Sequence, residues 1–108
     1  MTVRFSQNEI RFRVVPTELD EILLGKTLVL DSYPLRAEIS LGKEPLSKKL
    51  TLKVSGTQLF LAISRDELEL LKRRLPSREG LEEVVELDLG VVFNISFEVD
   101  VKAKKRDL

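Results

Sequence analysis

Arg11 and Arg13 stand two apart in the run Glu9-Ile10-Arg11-Phe12-Arg13-Val14. If that run is a strand, both guanidinium groups leave the same face about 6.6–7 Å apart. Two planar donor forks at that spacing suit a multi-phosphate group or an acidic segment. Arg4 and Lys53 join the candidate set because they hold corresponding places in two similar stretches of chain. Glu98 and Asp100 are also two apart on one face, and carboxylates acting together with substrate phosphates are a common way to hold Mg²⁺. The ligand-binding candidates are therefore Arg4, Arg11, Arg13 and Lys53, and the metal candidates are Glu98 and Asp100. Mg²⁺ enters only if the ligand is a phosphate, and no other cofactor is implied. No residue presents itself as catalytic.

The same charges have a plainer reading as a solvated sheet face, whose cross-strand pairs are worth about 0.2–1 kcal/mol each. The chain carries 18 basic and 18 acidic residues, and this near balance favours the plainer reading. It also lacks the broad basic field that nucleic acid or an anionic membrane attracts. The basic run from Lys102 to Arg106 reads as a solvated end. There is no cysteine and no histidine, which removes thiolate chemistry, disulfides, the commonest general base and the commonest transition-metal ligand. No glycine-rich phosphate loop or nucleophile elbow is present. No apolar run approaches a membrane span, and MTVRFSQNE has no signal-peptide core. The expected location is cytoplasmic.

Strands must position these residues. Ile10, Phe12 and Val14 alternate with Glu9, Arg11 and Arg13, then Pro16 opens a short helix with Leu19, Ile22 and Leu23 on its apolar stripe. Gly25 stands where a C′ glycine ends a helix. Thr2 to Ile22 aligns without a gap on Thr51 to Leu71, with Thr2/Thr51, Ser6/Ser55, Glu18/Glu67 and Leu19/Leu68 identical. In the second copy Leu59, Leu61 and Ile63 alternate, and Ser64 with Glu67 has capping-box spacing before Leu68, Leu71 and Leu75. Thr27–Asp31 and Leu35–Leu41, then Glu83–Leu87 and Val91–Val101, complete two ββαββ units. The chain is thus expected to be one domain over residues 1–108, with a pseudo-repeat of 1–42 and 48–103. Its class is α+β, the duplicated units forming a coiled antiparallel sheet or an eight-stranded barrel with two short helices. Ile10, Phe12, Val14, Leu59, Leu61, Ile63, Phe93, Ile95 and Phe97 should share one core. Phe60 is the oddity, an aromatic on the polar face.

The opening VRFSQNEIRFRV with its TEL-containing helix resembles a family of small uncharacterised bacterial proteins that begin with a basic strand, an Asn-containing turn and an Ile-Arg-Phe/Leu-Arg strand. ISFEVDV is similar to that family's last strand with its Glu-x-Asp pair. The resemblance carries over Arg4, Asn8, Arg11, Arg13, Glu98 and Asp100 and implies a fold but no activity. This chain lacks the cysteine associated with that last strand. The duplicated β unit is also similar in topology to the triphosphate-tunnel hydrolases, whose eight-stranded barrels enclose a polar channel, although their Glu-x-Glu-x-Lys signature is missing. Two functions follow as expectations. One is a non-catalytic binding module with a protein partner. The other is a phosphate-recognising barrel for a phosphate-containing small molecule, acting as a metal-assisted phosphohydrolase. An enclosed polar face would favour the barrel, and a polar face open to water would favour the module.

Overall fold

Alternation of apolar and polar residues sets the strands, and each switch to helical spacing falls where the repeat places it. The computed structural model describes residues 1–42, 48–76, 79–87 and 90–100. The order is β1 (Thr2–Ser6), β2 (Glu9–Val14), α1 (Pro16–Leu23), β3 (Leu28–Ser32), β4 (Leu35–Leu41), β5 (Leu50–Ser55), β6 (Gln58–Ile63), α2 (Arg65–Arg74), β7 (Leu81–Leu87) and β8 (Val91–Val99). This is the duplicated ββαββ arrangement of an α+β protein. The second unit's residues 101–103 and the basic run 102–106 lie outside the described residues.

No barrel closes. The strands form two four-stranded sheets, ordered β1-β2-β8-β7 and β3-β4-β6-β5. Each helix carries the chain from one sheet to the other, so each unit places its first hairpin in one sheet and its second hairpin in the other. Sequential strands pair antiparallel, as their turns dictate. The strands that meet at the middle of each sheet are parallel, β2 with β8 and β4 with β6. An all-antiparallel sheet is therefore replaced by two mixed ones. The hairpins are local, whereas the central pairs join segments far apart in the chain.

The two units are related by a pseudo-twofold that reaches individual hydrogen bonds. Asn94 N–H donates to the Asn8 carbonyl at 2.8 Å, and Arg36 N–H to Thr57 at 3.0 Å. Asp100 N–H donates to Val14 at 2.7 Å, and Gly42 N–H to Ile63 at 3.0 Å. Ala37 faces Leu59 across one central pair as Ile95 faces Ile10 across the other.

A single apolar cluster draws on both sheets and both helices. Phe12, Ile39, Ile63, Leu68, Leu71, Ile95 and Phe97 are completely buried. Of the expected core, only Phe93 is partly exposed, packed on the rim of the cluster. No polar or charged residue is buried as a whole among the described residues, although the Ser96 hydroxyl, facing Arg11 across β2 and β8, is itself shielded from water. The interior is therefore a dry core, and the closed polar channel implied by the triphosphate-tunnel resemblance is not formed.

The helices are held in different ways. α1 ends in a Schellman motif: Lys26 N–H donates to Glu21 and Gly25 N–H to Ile22, with Gly25 at φ +91°. At its start Glu18 accepts the Val15 N–H at 2.9 Å and both carboxylate oxygens pair with the Met1 amino group at 2.9 Å. The capping box expected at Ser64 is not made, because the Ser64 side chain forms no cap bond. Its backbone N–H instead donates to the Lys49 carbonyl at 3.0 Å. In the first copy the Glu18 carboxylate takes that role, accepting the Val15 N–H. Lys72 ties the helices together through Asp20 at 2.7 Å.

Candidate functional site

The sequence candidates occupy the outer faces of the sheets. Arg11 and Arg13 project from β2, with Arg4 directly across from Arg11 on β1. Across the parallel pair, Arg11 faces Ser96 and Arg13 faces Glu98. Arg13 donates from Nε at 2.9 Å and from Nη2 at 2.7 Å to a single oxygen of Glu98. Arg11 donates to Glu9 at 3.0 Å. Both pairs are half in water, where such contacts are worth about 0–1 kcal/mol. Arg4 is exposed and has no ion pair among the described residues. Like charges directly opposite on a β pair repel; the Glu9 carboxylate on Arg11 offsets part of that repulsion and leaves Arg4 as the member of the row without an ion pair among the described residues.

The remaining candidates do not join them. Lys53 lies on the other sheet, opposite Phe60, because the pseudo-twofold that equates it with Arg4 also separates the two. Phe60 is half-buried there, between Lys53 and Glu38 in register. Glu98 is engaged by Arg13, which competes with any cation for the same oxygen. Asp100 lies just past β8, its backbone bound to Val14. Among the described residues no three carboxylates converge as a metal site would need. A depression of about 450 Å³ on the arginine face mixes Arg11 and Lys49 with Glu79, Glu82 and Glu98. Mixed signs at that density do not select an anion.

A feature absent from the sequence reading lies where the two sheets approach each other. On one side β5 packs against β7, and the Lys49 N–H bonds Glu83 across the gap at 3.1 Å. On the pseudo-symmetric side β1 and β3 make no comparable approach, and an apolar cleft of about 110 Å³ lies between them. Val3 and Phe5 of β1 form one wall, Leu30 and Ser32 of β3 the other, with Leu35, Ala37 and Leu59 at the base. Phe5 points to the core side, paired in register with Ile10, yet 53% of it is exposed.

The paired registers show why this seam stays open. Ser32 faces Leu35 as Val85 faces Phe93, and Leu30 faces Ala37 as Glu83 faces Ile95. Serine and alanine thus stand where the closed seam has valine and isoleucine. The β7–β8 hairpin also runs two pairs further, through Glu86–Val92 and Leu87–Val91, whereas β3–β4 turns at once. Less side-chain volume and a shorter hairpin leave the gap. The sequence signal was the small pair Ser32 and Ala37, which acquires meaning only once the pseudo-symmetric mates are known.

Among the described residues no helix is long and apolar enough to cross a membrane. Comparison with protein-family models, curated proteins and solved structures finds no match.

Proposed function

We propose that this chain is a non-catalytic interaction module that docks a polypeptide partner in the open seam between β1 and β3. The observation that supports it is the exposed apolar cleft, built from core-facing residues of two strands whose outer edges are unpaired among the described residues. Unpaired edges flanking an apolar slot are the ingredients of recognition by strand addition. The outward position of the polar faces also favours a module over an enclosed catalytic barrel.

The test is selection of a displayed random-peptide library on the wild-type chain, with subtraction on Phe5→Asp. Phe5 is exposed enough for that change to leave the fold intact. Enriched peptides should bind wild type, lose binding to Phe5→Asp and compete with one another. A library that yields no binder, or binders indifferent to Phe5→Asp, removes this reading.

A second reading has one observation in its favour, the like-charge pair Arg4–Arg11 beside Arg13. Such a row would take a phosphate-containing small molecule, with Mg²⁺ shared between the phosphates and a carboxylate. Titration calorimetry with tripolyphosphate and Mg²⁺ decides it. Heat that is lost in Arg11→Ala/Arg13→Ala and falls with added salt would support this reading, and none at millimolar ligand would end it.

A further inference from the structure

The closed seam shows what the open one lacks. Resting on the docking reading above, we infer that the cleft accepts one β-branched aliphatic side chain, Val or Ile, from an extended segment that carries a carboxylate on the adjacent residue. The aliphatic part follows from the pseudo-twofold. Where Val85 and Ile95 fill the closed seam, Ser32 and Ala37 leave about 110 Å³. An apolar cavity of about 150 Å³ holds a benzene molecule, so a space somewhat smaller suits the end of one aliphatic side chain. Apart from Ser32 at the rim the lining is apolar, Val3, Phe5 and Leu30 over a base of Leu35, Ala37 and Leu59, so a polar side chain reaching that base would lose its water without gaining a partner.

The carboxylate follows from geometry and charge. Successive side chains of an extended segment point to opposite faces. If one enters the cleft on the core side, its neighbours emerge on the outer side, where Arg4 stands beside Phe5. Arg4 has no ion pair among the described residues and sits across from Arg11. A carboxylate arriving there gives Arg4 the ion pair that it lacks among the described residues, Arg11 already having Glu9. The backbone of the segment lies along a strand edge of the seam, whose N–H and C=O groups have no neighbouring strand among the described residues.

The probe is the acetylated, amidated pentapeptide TEIET, titrated into the full chain while the methyl resonances of Val3, Leu30 and Leu59 are followed by NMR. Saturable shifts confined to the seam are expected. TESET should give none, and TQIQT should bind about two- to fivefold more weakly, the worth of one exposed ion pair. Arg4→Gln should produce the same loss with TEIET and flatten its salt dependence. Ala37→Ile fills the cleft, and should abolish binding without lowering the melting temperature. Ser32→Val, at the rim, blocks it independently should Ala37→Ile overpack the core. Equal shifts with TEIET and TESET, or undiminished binding to Ser32→Val, overturn the inference. Library peptides that need Phe5 but lack the aliphatic–acidic pattern would overturn it too, while leaving the docking reading in place. A library without binders removes both.

Discussion

Glu18 performs at the first helix the role that capping-box spacing assigned to Glu67 at the second. Its carboxylate accepts the Val15 N–H and pairs with the Met1 amino group, whereas Ser64 makes no side-chain cap. Glu18→Ala should therefore cost about 0.5–2 kcal/mol, in the range of a lost cap. Ser64→Ala should stay within about 0.5 kcal/mol, the usual range for a change that breaks no such feature. Urea unfolding of the two variants checks this, and the reverse order of costs would mean that the serine hydroxyl is the true cap. The sequence could show that Ser64 and Glu67 have capping spacing. It could not show that the Lys49 carbonyl, delivered by a different strand, already takes the Ser64 N–H. Burial was more legible, because period-two alternation fixes the inward face whatever the neighbours are. Phe12 and Phe97, both completely buried and paired in register, should each cost about 3–5 kcal/mol when cut to alanine. Thermal melts that find either change neutral would contradict that register.

Hairpins and helices were legible at the scale of elements because their signals are local: a turn, a proline at the first helical position, a glycine after the last. The parallel contacts of β2 with β8 and β4 with β6 were not, since alternation tells which face is buried and not which strand lies alongside. Two glycines separate the local constraint from the long-range one. Gly25 ends α1 at φ +91°, with nothing near the place a Cβ would take. Gly25→Ala should cost about 1–2 kcal/mol from backbone conformation alone, and Gly25→Asn less, since Asn tolerates that region. Gly80 precedes β7, and a Cβ there would run into the carbonyl oxygen of Phe97. Gly80→Ala should cost about 1–3 kcal/mol or more, as overpacking does, and Gly80→Asn should give no relief. Melting the four variants distinguishes torsion from collision. If asparagine rescues position 80 as well as position 25, the close approach of the two backbones is not what the glycine serves.

The whole molecule is a near-symmetric object with one deliberate-looking asymmetry. Repeat spacing revealed the duplication, and the registers extend it to individual hydrogen bonds, yet the two seams differ because four side chains and two rungs of hairpin differ. The candidate site was therefore half legible: the arginine row could be read from one strand, while the cleft needed both sheets in place. This asymmetry has an energetic consequence. β5 and β7 are edge strands that lean on each other across the closed seam, so opening either exposes Leu50, Leu52, Leu81 and Val85, all buried. β1 and β3 are edge strands without that support, and apart from Leu28 opening them exposes side chains, Val3, Phe5 and Leu30, that water already reaches. Local opening costs least where the fewest apolar contacts are lost. In native-state hydrogen exchange, the β1 and β3 amides bonded to β2 and β4 should exchange through local openings well below the global unfolding free energy. The corresponding amides of β5 and β7 should approach the global value, with central strands β2, β4, β6 and β8 at the top. A peptide seated in the cleft should raise protection in β1 and β3 alone. If β1 and β5 are equally protected in the free protein, the open seam carries no energetic asymmetry, and its cleft is no more available to a partner than any other crease in the surface.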